Sequence, residues 1–235
     1  MSKLKGCFIN SWINTKFWQI YYRYTSRRYR VELDYFGSDL CGWSVNTEEL
    51  NENSVIYSVG VGKDITFDLE LFNKFQSKIY LFDPTPEVKD WINDQNLPDK
   101  IVFLDYGVFD RNGTIEFFPP QNENYISHSL IYSNNLNMAK AFTVPVKSLK
   151  NVIESFDHEY IDLLKLDIEG AEYKVLSTII TEKLPIKQIL VEFHHRFSSF
   201  SFSETREALR SLIQCGYRII STSKNGNQYT FLKTD

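Results

Sequence analysis

From Ser54 onward the chain alternates short runs rich in β-branched and aromatic residues with longer stretches of helical period, and that alternation predicts its fold. Residues 54–59 (SVIYSV), 78–82 (KIYLF), 100–104 (KIVFL), 161–166 (IDLLKL) and 188–193 (QILVEF) have the near-continuous hydrophobicity of strands buried on both faces. Between them, 64–75, 86–94, 170–180 and 203–215 carry the spacing of helices. The order predicts a parallel sheet with helices packed on both sides, a doubly wound α/β domain.

Two stretches depart from plain alternation. Residues 114–118 and 141–146 read as extra strands around a polar, Asn-rich segment, 119–140, which is too long for a turn and is expected to be a lid. Residues 217–222 and 228–232 flank Lys224-Asn225-Gly226-Asn227, a turn sequence, and so form a hairpin. A hairpin closing a parallel sheet predicts one antiparallel strand at its C-terminal edge.

Residues 1–53 lack this pattern and are expected to be a basic, aromatic, helical extension of the α/β domain at 54–235. From Met1 to Arg30 no residue is acidic, while Lys16, Arg23, Arg27 and Arg28 interleave with Phe17, Trp18, Tyr21, Tyr22 and Tyr24. One reading is a helix that covers the domain with its aromatic face; the other is a contact surface for an anionic partner or a membrane.

Composition narrows the function classes. The net charge of -4 over 235 residues gives no electrostatic reason to expect nucleic acid as partner. Three cysteines, Cys7, Cys41 and Cys215, are widely spaced and odd in number, so neither a disulfide framework nor a metal knuckle is expected; a reducing, cytoplasmic setting fits. Asn10, Asn14 and Lys16 interrupt any signal-peptide core, and no apolar run approaches the ~20 residues that cross a bilayer.

Candidate chemistry gathers at the strand ends. Ser58-Val59-Gly60-Val61-Gly62-Lys63-Asp64 follows the first of these strands and opens a helix, where glycines permit a sharp turn and close approach to a ligand. Asp83, in Phe82-Asp83-Pro84-Thr85-Pro86, ends the next strand about 20 residues on, where an acid can accept from ribose hydroxyls or simply cap a helix. Asp167, Glu169 and Glu172 mark the boundary between a central strand and a helix. There Asp167 faces the ligand crevice, Glu169 serves function or capping, and Glu172 caps or lies on the surface. His194, ending the fifth strand beside His195, can take a proton near neutral pH. Tyr106 and Gly107 end the third strand, where an adenine ring could lie. His128 and Ser129, in the lid segment, could orient a substrate hydroxyl. No metal site is expected, because two adjacent histidines do not make one.

Taken in order, these blocks resemble the FkbM family of methyltransferases. The similarity runs from about Val55 to Phe193 and is carried by YSVGVGKD, YLFDPTP, DYGVFDRNGTIEFF, LLKLDIEGAEYKVL and ILVEFHH. It implies the class I methyltransferase (Rossmann-like) fold, S-adenosylmethionine as cofactor, and O-methylation of a hydroxyl on a sugar or small natural product, so the acceptor would be a small molecule or glycan. Carried across, Gly60 and Gly62 would hold the methionine portion, Asp83 the ribose, Tyr106 and Gly107 the adenine, and Asp167 the cofactor amine or the reaction centre. Asp167 or His194 would accept the hydroxyl proton, with Glu169 beside them. Ser58 stands where such enzymes usually place an acid, and Lys63-Asp64 replaces the usual Asn-x-Gly portion, so Asp64 would take over a polar contact. Two other functions remain compatible with the motifs: a nicotinamide-dependent reductase, which also uses Gly-x-Gly followed by an acid, and a non-catalytic S-adenosylmethionine-binding module.

Overall fold

The computed structural model of the chain describes residues 31–39, 41–118, 141–195 and 201–234. The expected basic helix within 1–30 and the expected lid at 119–140, with His128 and Ser129, lie outside the described residues.

In chain order the described strands are β1 (Leu33–Phe36), β2 (Trp43–Asn46), β3 (Val55–Val59), β4 (Lys78–Phe82), β5 (Ile101–Leu104) and β6 (Gly107–Phe109). They continue as β7 (Gly113–Phe117), β8 (Phe142–Ser148), β9 (Ile161–Leu166), β10 (Ile186–Glu192), β11 (Tyr217–Thr222) and β12 (Gln228–Lys233). The helices are α1 (Thr66–Phe75), α2 (Pro86–Asn93), α3 (Leu149–Ser155), α4 (Glu172–Thr181) and α5 (Phe202–Gln214).

A seven-stranded sheet, in the order β11-β12-β10-β9-β3-β4-β5, forms the centre. The pairs β10/β9, β9/β3, β3/β4 and β4/β5 are parallel, while β12 runs antiparallel to both neighbours. The fold is therefore the expected doubly wound α/β sheet, with one correction. The antiparallel last strand lies one place in from the edge, and β11 occupies the edge itself. The physical reason is the crossover through α5, which sets β11 parallel to β10 one strand-width away. The hairpin then returns β12 into that gap, where it pairs on both sides.

Strand alternation divides the core between the two faces of the sheet. Tyr57, Val59, Phe82, Leu164 and Leu166 pack with Val175, Leu176, Leu209 and Leu212 from α4 and α5. Ile56, Ile79, Leu81 and Leu163 pack instead with Phe67 and Leu71 of α1 and Val88 of α2. The second face is completed by the hairpin β1–β2, which the sequence pattern places in a separate extension. Val45 is fully buried and Trp43 nearly so. Asn46 and Gln188 exchange hydrogen bonds, N–H to Oε1 at 2.9 Å and Nε2 to the carbonyl at 3.0 Å, and Thr230 Oγ1 donates to the Ser44 carbonyl at 2.7 Å. Packing thus runs across the boundary expected at Asn53. Truncating a buried aromatic such as Trp43 to Ala costs about 3–5 kcal/mol, so the hairpin belongs to the stability of the domain.

A small sheet, β6-β8-β7, stands against the carboxyl end of β5. It brings Gly107, Phe117 and Val146 to the mouth of the crevice described next.

Candidate functional site

Backbone hydrogen bonds carry the ladder past the strand ends and gather three turns in one place. Gly60 N–H donates to the Phe82 carbonyl at 2.9 Å, Asp167 N–H to Val59 at 3.0 Å, and Asp83 N–H to Leu104 at 3.3 Å. The tips of β3, β4 and β9 therefore open onto one cleft of about 360 Å³, lined among others by Gly60, Gly62, Asp64, Asp83, Gly107, Asp167 and Glu169. These expected site residues converge there, at the crevice where doubly wound sheets bind ligands.

The glycine loop is shaped by its surroundings. Gly60 and Gly62 have φ of 79° and 59°, in the left-handed region. A Cβ on Gly60 would stand 1.7 Å from the Asp167 carbonyl oxygen, so only glycine allows β3 and β9 to meet at this turn. Asp83 does more than face the cleft. Its Oδ2 accepts from Val61 N–H at 3.1 Å and Gly62 N–H at 3.0 Å, and its Oδ1 from Thr85 N–H at 2.9 Å, so its carboxylate braces the loop.

Asp64 sits just ahead of α1, which begins two residues later than the sequence pattern predicts. Its Oδ1 accepts from Thr66 N–H and Oγ1, an Asx turn that leads into the helix, and its Oδ2 accepts from Ser38 Oγ at 2.8 Å. Burial raises this carboxyl, but the hydrogen bonds from Thr66, Ser38 and Cys41 outweigh it and hold it below the usual range. Through Ser38 the β1–β2 loop is tied to the cleft, and Cys41 lines it. Burial pushes the Cys41 thiol up, reinforced by Asp64 and Asp167.

The turn after β9 is strained. Glu169 adopts φ 51°, a conformation that costs a non-glycine residue of order 1 kcal/mol or more and that clusters at functional sites. The turn is secured by Glu172, expected as a cap or surface residue but fully buried. Glu172 Oε2 accepts from Gly170 N–H at 2.7 Å, and Oε1 from His194 N–H at 2.9 Å, with His194 Nδ1 at 3.3 Å. His194 Nε2 lies 3.7 Å from Asp167 and 3.5 Å from Glu169. Burial pulls the imidazole pKa down, but the hydrogen bond to Glu172 and the charges of Glu172, Glu169 and Asp167 prevail and raise it to about 10. At neutral pH His194 is an imidazolium behind two cleft carboxylates. Glu192, hydrogen-bonded to Gln228, is raised by burial and by Asp167.

Besides His194, which stands behind the cleft wall, Tyr106 and Ser58 are not brought to the cleft. Tyr106 packs in the core, its ring edge-on to Phe82 at 5.7 Å with Lys147 Nζ 4.2 Å above it; the alternation that points Gly107 at the cleft turns Tyr106 inward. Ser58 is fully buried beneath the loop beside Asp68 and Lys165, because it lies one residue inside the strand end. Among the described residues no group of His, Cys, Asp and Glu is arranged to hold a metal ion.

Residues 44–219 match the family model described as the Methyltransferase FkbM domain. The chain belongs to the FkbM methyltransferase family. FkbM membership displaces the nicotinamide reading. The probable methyltransferase-like protein 24 of Rattus norvegicus is 26% identical over 77% of this chain and 46% of its own length, and the human protein of that name is 25% identical over 79% and 47%. The hexuronic acid methyltransferase AglP of Haloferax volcanii is 23% identical over 63% of this chain and 59% of that protein. The chain thus spans about half the length of the first two relatives. Among solved structures, the precorrin-6y C5,15-methyltransferase of Geobacter metallireducens aligns with a TM-score of 0.44 at 11% identity, covering 79% of this chain and 83% of that one.

The cleft suits S-adenosylmethionine, the cofactor that the family resemblance implies. Asp64, Asp83, Asp167 and Glu169 offer carboxylates to a cationic sulfonium and its amine. Apolar Pro84, Val108, Phe117 and Val146 around Gly107 offer a surface for a flat base; a Cβ on Gly107 would meet Val146 at 3.2 Å and Pro84 at 3.4 Å.

Proposed function

We propose that this chain transfers a methyl group from S-adenosylmethionine to a hydroxyl of a sugar or small natural product. The observation that supports the reading is the contrast between His194, bonded to buried Glu172, and Asp167, open at the cleft wall. A proton acceptor has to be free to accept at working pH. His194 is held as a cation by Glu172, whereas Asp167 keeps its side chain 32% exposed at the cleft wall. Asp167 then takes the hydroxyl proton, while His194 and Glu169 fix its position and the local charge.

The bound cofactor supplies an electrophilic methyl on a sulfonium, leaving a neutral thioether. The protein supplies alignment and exclusion of water, the larger share of the barrier reduction for such a transfer. The glycine loop and Asp83 hold the donor, and Asp167 meets the acceptor oxygen. The Haloferax volcanii relative, by its name a hexuronic acid methyltransferase, supports a sugar as acceptor. Cys41 and Cys215, both free thiols, are consistent with a reducing, cytoplasmic setting.

The test is incubation with methyl-deuterated S-adenosylmethionine and separate pools of neutral glycosides, hexuronic acids, phenols and amines, with products read by mass spectrometry. Alkali-stable labelled ethers are expected. Label on amines alone, or only as alkali-labile carboxyl esters, would reject O-methylation of a hydroxyl. Cofactor binding without transfer to any pool would favour a non-catalytic module.

A further inference from the structure

Lys165 is out of place by composition. It lies inside β9, every residue of which is buried, and is itself 6% exposed. A cation at such a position costs several kcal/mol unless it is bonded and paired. Its Nζ donates to the Gly60 carbonyl at 2.9 Å, and lies 6.0 Å from the Trp43 ring. On the neighbouring helix α1, Asp68 is 2% exposed and its Oδ1 makes no hydrogen bond; burial raises its carboxyl to about 6, and the Lys165 charge pulls the other way. Ser58, paired in register with Lys165, approaches the Asp68 carboxyl without a hydrogen bond of ordinary geometry. Lys165 does not line the cleft; it touches the residue that does.

We propose that Lys165 is a positioning residue for S-adenosylmethionine: it holds the Gly60 carbonyl and so fixes the left-handed glycine turn that lines the cofactor cleft, with Asp68 as its buried counter-charge. The turn is fastened on its other side by Asp83, through the amides of Val61 and Gly62. Its amides and its carbonyl are thus gripped by opposite charges, which leaves the loop one conformation before the cofactor arrives. Pre-ordering of this kind raises affinity by removing the cost of ordering on binding.

The inference rests on the glycine turn receiving the methionine portion of the cofactor, so the test compares two ligands. Calorimetry is run with S-adenosylmethionine and with 5′-methylthioadenosine, which lacks the amino-carboxylate. In Lys165→Met the affinity for S-adenosylmethionine is expected to fall tenfold or more while that for 5′-methylthioadenosine stays within threefold, and amide exchange at residues 60–63 accelerates. Equal losses for both ligands, as a general loss of structure would give, or no loss for either, overturns the proposal. If Lys165→Met does not fold, Asp68→Asn is read with the same pair, and an unchanged preference for S-adenosylmethionine again overturns it. A wild-type chain that binds neither ligand would instead remove the cofactor assignment.

Discussion

Glu172 and His194 are joined twice, through the His194 main-chain N–H at 2.9 Å and through Nδ1 at 3.3 Å, and the carboxylate that makes both contacts is fully buried. This relationship gives stability a pH dependence whose sign can be worked out. The folded-state pKa of His194 is raised from 6.5 to about 10. Its contribution is therefore fully present below about pH 6.5 and is lost as pH rises through about 10. A shift of this size corresponds to a few kcal/mol in order of magnitude. Thermal unfolding of the wild type is expected to weaken between pH 7 and 10, and His194→Gln to remove most of that slope. Parallel profiles for the two proteins would show that His194 is not held as a cation. Glu172→Ala, which removes the buried carboxylate bonded to the His194 main-chain N–H and to Nδ1, should cost about 3–5 kcal/mol at pH 7.

Gly60, Asp83 and Asp167 were legible in the sequence because each sits in a local motif whose role depends on neighbours in the chain: a turn after a strand, an acid before proline, an acid before a helix. The parallel sheet followed from the alternation of strand-like and helix-like runs, whereas the place of β12 inside the sheet did not. What was not legible depends on distant partners. Glu172 looks like a helix-start acid until His194 arrives from β10, and Lys165 looks like a solvated lysine until Gly60 folds over it. The β1–β2 hairpin carries little signal in the sequence because its strands are four residues each and its buried Trp43 and Val45 follow an aromatic, basic stretch that masks their alternation. The available signal for Lys165 was the lysine itself, a charge near the carboxyl end of a central parallel strand whose other charge, Asp162, sits at its start.

Asp83 carries two duties that a single substitution will expose together. Replacing it with Ala leaves the amides of Val61, Gly62 and Thr85 without their acceptor, two of these bonds being buried. Unmade buried bonds cost about 1–3 kcal/mol each. Asp83→Ala should therefore lower stability by about 2–5 kcal/mol and abolish S-adenosylmethionine binding by calorimetry. Affinity within threefold of wild type would take Asp83 out of the cofactor site, and an unchanged unfolding midpoint would show that the brace is idle.

Cys41 offers a direct readout of cleft occupancy. In a Cys7→Ser, Cys215→Ser background, iodoacetamide should alkylate Cys41 slowly at pH 7, because burial and the carboxylates of Asp64 and Asp167 disfavour the thiolate. The rate should climb as pH rises beyond the ordinary thiol range and drop at least fivefold at any pH when S-adenosylmethionine is saturating. Alkylation indifferent to the cofactor would place Cys41 outside the occupied part of the cleft.

Asp167 separates chemistry from scaffolding most cleanly, since its contribution to the fold is made by its backbone. Its amide continues the ladder to Val59 and its carbonyl faces Gly60, so an isosteric side chain leaves the turn intact. Asp167→Asn removes the proton acceptor and one of the charges beside His194, while Glu172 and Glu169 still hold the imidazole. A positioned general base accounts for about 10²–10⁴ in rate. Single-turnover methyl transfer at saturating cofactor should slow by that factor, with the unfolding midpoint within a few degrees of wild type. The deficit should shrink as pH rises, because the acceptor hydroxyl then ionises without help. Near-normal transfer by Asp167→Asn at pH 7 would hand the proton to another group, and Glu169, 21% exposed across the same turn, would be the next to replace.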